Sequence, residues 1–247
     1  MNQLLKIDFH IHTQEDTDNH IDYNAIELID LSVSLSFDAI AITNHNTITS
    51  NEQLVSYAKK KGIVLFPGVE RSIDNKHVLL INFSDVDSLD SYDAILDAKT
   101  DHNLVIAPHP FFPGMQSLGK DMYAHPELFD AIEFCHFYSP KLNFNQEAIR
   151  YAKQYRLPLM ANSDAHIREQ FGRCYSLVKS NKNKNDIIKA IKKGHVKQIA
   201  PPLSLSRMIR IYLKILSNKP TLKRAFVRVQ GILNRLRHVS ETRKYLQ

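Results

Sequence analysis

The sequence predicts an α/β fold: a mainly parallel sheet with helices between its strands. Two observations carry this. Short β-rich runs recur along the first 200 residues, and between several of them lie stretches whose apolar residues return at three- and four-residue intervals. A third observation concerns placement: histidines and carboxylates fall just past the carboxyl ends of the runs. In barrels and open α/β sheets those ends converge on one face, where active sites form.

Leu5 to His12 opens the series as an alternating strand. Tyr23 to Leu35 follows with helical spacing, then the apolar run Ala39 to Thr43, the helical Asn51 to Lys61 and the strand Ile63 to Val69. Val78 to Asn82, Leu104 to Ala107, Ala131 to Phe134 and Leu159 to Ala161 read as further strands, with helices expected over Ser88 to Thr100 and Asn145 to Tyr155. Seven strands of this kind suit a closed, TIM-like barrel or an open doubly wound sheet, and the count does not choose. Asn181-Lys182-Asn183-Lys184-Asn185 is a polar loop before another helix, and Pro201-Pro202 is a stiff boundary. The expected division is therefore a barrel or sheet domain over residues 1–200 and a helical extension over 201–247.

The extension has its own chemistry. It holds eleven Lys or Arg against the single acid Glu241, whereas the whole chain carries only +6, so residues 1–200 are net acidic. Leu205 to Leu216 is apolar and basic, and Leu222, Phe226, Val229, Leu233 and Leu236 recur at helical spacing among basic residues. Such a tail is expected to pack on the domain, follow nucleic-acid phosphates or lie on an anionic membrane. Few aromatics interleave with the basic residues, which argues against stacking on single strands.

Composition excludes other classes. With 247 residues, 43% hydrophobic and 23% charged, the chain can bury a large core and is neither disordered nor fibrous. Two cysteines, Cys135 and Cys174, do not make a disulfide framework, so a cytoplasmic setting is expected. The opening residues lack the pattern of a signal peptide, and no apolar run reaches the roughly 18 residues of a membrane span.

Asp8-Phe9-His10-Ile11-His12 is the first chemical signal. In a strand, Asp8, His10 and His12 share one face and Ile7, Phe9 and Ile11 the other, so two imidazoles project together and suit a metal ion. Further donors follow later strands: His45, Glu70, His109, Asp164 and His166. Each has an ordinary explanation as a cap, an ion pair or a turn; their common position at strand ends does not.

Taken as an ordered set, Asp8-Phe9-His10-Ile11-His12-Thr13, Ile42-Thr43-Asn44-His45-Asn46-Thr47, Phe66-Pro67-Gly68-Val69-Glu70, Ala107-Pro108-His109-Pro110 and Asn162-Ser163-Asp164-Ala165-His166 resemble the polymerase and histidinol phosphatase (PHP) family of metal-dependent phosphoesterases, over about residues 5 to 180. The resemblance implies a distorted (β/α)7 TIM-like barrel with two or three divalent ions, Zn, Mn or Fe. It implies His10, His12, Glu70 and Asp164 as one ligand set, Glu70 bridging to a second ion held by His77 and His109, and His45 and His166 on a third. Asp16, Asp18 and His20 compete for the remaining place on the third ion, and Asp18 is the choice. Asn44 stands where many relatives have Asp; as a partner of His45 it would make that ligand less basic.

The implied activity is hydrolysis of a phosphomonoester or diester, a nucleotide or small phosphorylated metabolite, by hydroxide generated between the ions. Glu70, His45 and His166 are the expected catalytic residues, the last two as candidates to protonate the leaving group. Arg71, Arg168 and His136 are expected to bind substrate, while Cys135 alternates with His136 and should face away. Neither a Walker loop nor a Gly-x-Gly-x-x-Gly fingerprint is present, so metals and cations must handle the phosphate. Two alternatives remain: an amide or lactone hydrolase on the same site, and a non-catalytic metal-containing scaffold with a polyanion-binding tail.

Overall fold

A computed structural model of the protein describes residues 3–114 and 116–218. Its elements run β1 (Gln3–Asp8), α1 (Ala25–Ser34), β2 (Ala39–Ile42), α2 (Glu52–Lys60), β3 (Val64–Ile73), β4 (Lys76–Ile81), α3 (Tyr92–Asp97), β5 (Leu104–Ala107), α4 (Asp121–Ala124), β6 (Ala131–Phe134), α5 (Gln146–Tyr155), β7 (Leu159–Ala161), β8 (Tyr175–Ser180), α6 (Lys184–Lys192), β9 (Val196–Ile199) and α7 (Leu205–Asn218). Helix starts follow local chemistry. Asn24, Asn51, Ser91 and Asn183 each accept a backbone N–H from the first turn, and Asn24 forms a capping box with Glu27.

The strands form one nine-stranded sheet in the order β7-β6-β5-β4-β3-β2-β1-β8-β9, curled into a nearly closed barrel. It is mixed rather than mainly parallel. β1, β2 and β3 are parallel, as are β5, β6 and β7, but β4 is antiparallel to both neighbours. The reason is local: Asp74 and Asn75 both sit at positive φ (49° and 61°), the geometry of a tight hairpin that leaves no room for a crossover helix. β8 and β9, not expected from the sequence, extend the sheet antiparallel beyond β1.

The ends of the curl meet through side chains. Ser176 on β8 places its hydroxyl 2.9 Å from both the amide and the carbonyl of Ala161 on β7, and Phe9, just past β1, donates its N–H to Asn162 Oδ1 at 3.0 Å. Every second residue of the strands, among them Leu5, Ile7, Ala39, Ala41, Phe66, Leu79, Ile106 and Met160, packs in one inner cluster, which α6 caps with Ile187, Ile188 and Ile191. The opposite strand faces pack under the helices in two outer clusters.

α7 follows Pro201-Pro202 and docks through Met208 and Ile211 against Ile167 and Leu203. Leu205, Ile209, Tyr212 and Leu213 on the same helix remain exposed. The basic amphipathic stretch from Leu222 to Leu236 lies outside the described residues. Among those described, no helix is long and apolar enough to cross a membrane.

Candidate metal centre

β1 ends at Asp8, and the extended chain that follows makes one bridge, Ile11 to Ala165. Phe9 packs in the inner cluster and Ile11 in an outer one, so strict alternation stops where the strand does. His10 and His12 nevertheless stay adjacent, their ring centroids 5.3 Å apart.

Glu70, on β3, is the hub. It is buried, and His10 Nε2, His12 Nε2 and His45 Nε2 lie 3.4, 3.2 and 3.2 Å from its Oε2. His77 Nδ1 and His109 Nε2 lie 2.6 and 3.5 Å from its Oε1. Asp164 Oδ1 completes the group, 3.3 Å from His10 Nε2, 3.6 Å from His12 Nε2 and 3.3 Å from His166 Nδ1. The six histidines and two acids singled out in the sequence, His77 among them through the family resemblance, are thus brought together. His109 and Asp164 both take positive φ (29° and 45°), strained for residues with a Cβ.

The cluster fits divalent metal. His10 Nε2 and His12 Nε2 are buried without a hydrogen-bond partner among the described residues, although carboxylates surround them. Donors about 2.1 Å from a shared tetrahedral ion lie about 3.4 Å from each other, the spacing of these contacts. Five overlapping triads have all their ligand atoms within 4.8 Å: His10, His12 and Glu70; His10, His109 and Asp164; His12, Asp164 and His166; His12, Asp16 and His45; and His45, Glu70 and His77.

The charges point the same way. Burial alone would raise the carboxyls of Glu70 and Asp164, yet the neighbouring imidazoles, His10 foremost, hold both well below the usual range. Burial likewise opposes protonation of His10 and His12, but their carboxylate partners raise His10 well above the ordinary value and His12 to about 10. Burial, helped by His12, pushes His166 down to about 3. The carboxylates call for positive charge, and protons supply it where a metal would.

Two acids support the rings: Glu133, which was not foreseen, and Asp16, which had been weighed against Asp18 as a ligand. Glu133, the lone charge in the buried strand β6, places Oε2 2.9 Å from His10 Nδ1 and accepts the backbone N–H of His109 with Oε1. Asp16 Oδ2 lies 2.7 Å from His12 Nδ1 and 2.8 Å from His45 Nδ1. Each fixes the ring and leaves Nε2 facing the hub. An acid inside an otherwise apolar strand was the available signal for Glu133; the signal for Asp16 was its place a few residues past the His10 and His12 pair.

Several expectations are corrected. Asp18 is exposed and belongs to none of the triads, though it lines the cavity in front of the cluster; Asp16 reaches the rings instead. Asn44 does not support His45: its side chain bonds Thr13 and Thr49, pinning the loop between β2 and α2 to the chain after β1. Arg71 follows Glu70 on a strand and so takes the opposite face, where its guanidinium donates to the carbonyls of Leu89 and Asp87. Arg168 is exposed beside Glu27 and also lies off the cavity. Cys135, expected to face away, lines the cavity with His136.

His136 is held by Gln170. The Gln170 carbonyl accepts the backbone N–H groups of His166 and Ile167, so its amide nitrogen must be the atom 3.1 Å from His136 Nε2, which therefore accepts. The proton then resides on His136 Nδ1, which is buried and has no partner among the described residues.

Fold and cluster together define an α/β barrel with a buried histidine and carboxylate cluster at one mouth. A family model described as PHP-associated matches residues 143–196. Among solved structures, a two-domain protein of Bacteroides vulgatus containing a predicted PHP-like metal-dependent phosphoesterase superposes with a TM-score of 0.63 at 20% identity, covering 87% of this chain and 70% of that one. PsfC from Pseudomonas syringae gives 0.57 at 18% identity, covering 90% and 100%. The lesion-specific endonuclease PfuEndoQ from Pyrococcus furiosus gives 0.50 at 17%, covering 79% and 58%. No curated protein matches in sequence. At these identities the structural likenesses show a shared barrel fold.

Proposed function

We propose that the protein is a divalent-metal-dependent phosphoesterase that hydrolyses a phosphomonoester or diester. The observation that carries this reading is Glu70, buried at the centre of five imidazoles, with His10 Nε2 and His12 Nε2 unpaired beside it. His10, His12, His77, His109, Glu70 and Asp164 would hold the principal ions, with His45 and His166 toward a further one. Bound there, divalent ions supply Lewis-acid stabilisation of a phosphoryl group and a water acidified to near neutrality.

The chain's own residues orient and exclude. Glu133 and Asp16 set the rings of His10, His12 and His45. Gln170 fixes the turn carrying His166 and the tautomer of His136, which lines the cavity. His45 and His166 line the cavity beside the hub. The test is metal content of the purified protein together with Mn- or Zn-dependent phosphate release from a panel of esters, repeated on Glu70→Ala. Loss of bound metal and turnover in the variant is expected. Near-normal turnover would overturn the assignment, and amide or lactone hydrolysis without phosphate release would favour the rival chemistry.

A further inference from the structure

The cavity in front of the cluster has a volume of about 710 Å³, within the range that encloses an organic ligand and far more than a phosphate needs. Its lining joins the histidine and carboxylate group to the apolar side chains of Phe112, Phe137, Tyr212 and Ile215, with neutral polar groups such as Gln116 and Ser117 among them. Among the described lining residues none is a lysine or arginine. Beyond the histidine and carboxylate group the cavity therefore offers apolar area, not a second cationic site for an anion.

The apolar side is built. Phe112 packs edge-on against Phe137 and Phe144, with centroids 6.0 and 5.7 Å away. Phe137 and Ile215 also pack on the cluster of Ile167, Leu203, Met208 and Ile211 that seats α7. Ile167 is the neighbour of His166, so the helix is anchored beside a candidate ligand and contributes Tyr212 and Ile215 to the cavity lining. The Tyr212 side chain is substantially exposed, leaving ring area that a bound organic group would cover.

Resting on the phosphoesterase reading, we infer that the substrate is a phosphate ester whose organic part is an apolar, ring-sized group, and that α7 is its specificity element through Tyr212 and Ile215. The phosphate end faces the histidines while the ring lies between Phe112, Phe137 and α7. Burial of that ring, and not further charge, distinguishes this substrate from a small polar ester.

The experiment compares two non-hydrolysable probes, benzylphosphonate and methylphosphonate, by calorimetry on the full-length Mn-loaded protein. Benzylphosphonate should bind more tightly by roughly tenfold or more, as expected for an apolar group entering a fitted pocket. The ratio should collapse in the double variant Tyr212→Ala, Ile215→Ala and return in Tyr212→Phe, which keeps the ring. Equal affinities for the two probes, or a ratio that the double variant leaves intact, would overturn the inference while the phosphoesterase reading stood. Failure of both phosphonates and of inorganic phosphate to bind would remove the reading beneath it.

Discussion

Glu133 Oε2 lies 2.9 Å from Nδ1 of His10, joining β6 to the chain just past β1. Through this contact an acid that touches no other imidazole governs which nitrogen of His10 faces Glu70. Glu133→Gln keeps the shape but gives up the charge that makes the ring a strong donor. Metal affinity should fall roughly 10–100-fold, as for comparable supporting acids, with little change in circular dichroism. Unchanged affinity by metal-buffered titration would show that the contact only packs the strand.

Asp16 serves two rings at once, so its loss should be felt on both sides of the hub. In Asp16→Asn one side-chain oxygen must serve two N–H groups without a full charge, and affinity is expected to drop by a similar roughly 10–100-fold. The same change at Asp18, which bonds neither ring, should cost less. A larger effect at Asp18 would restore it as the direct ligand.

Protons and metal compete for the same atoms. Burial opposes charge on His12, but Asp16, Asp164 and Glu70 hold it up to about 10, against 6.5 for an ordinary histidine. In metal-free protein its pairing is fully stabilising below 6.5 and is lost as pH rises toward 10. Metal must displace that proton, so its binding strengthens over the same window. The thermal shift on adding Mn should therefore be larger near about pH 8 than near about pH 6. A shift that shrinks with rising pH would contradict the ligand assignment.

Ser176→Ala removes the side chain that serves both backbone groups of Ala161 where the curl closes. Leaving buried polar groups unpaired costs about 1–3 kcal/mol, readable as a lower urea midpoint with unchanged slope. No loss of stability would mean that the seam closes by packing alone.

What could be read in advance divides along physical lines. Donors at the centre of the cluster, such as His10, Glu70 and Asp164, are betrayed by residue type and by position in or after an apolar run. Glu133 and Asp16 act through another residue's ring, so their partners are set by three-dimensional closure and leave little trace in local order. Arg71 was misassigned although the alternation that turns it away from Glu70 was already visible. The mixed sheet was missed because its cause is a two-residue hairpin at Asp74 and Asn75, and β8 and β9 because strands with partly exposed faces lack a long apolar run.

The seam has a temporal consequence as well. Phe9 and Asn162, which bond across it, are 153 positions apart, and His10 meets Asp164 on the same path. Contacts this distant in sequence form late, because the intervening chain must first be ordered. Assembly of the cluster is thus a late event of folding: a growing chain that has not yet made β7 already carries His10, His12, His45, Glu70, His77 and His109 but lacks Asp164 and His166, and only closure of the barrel brings them together.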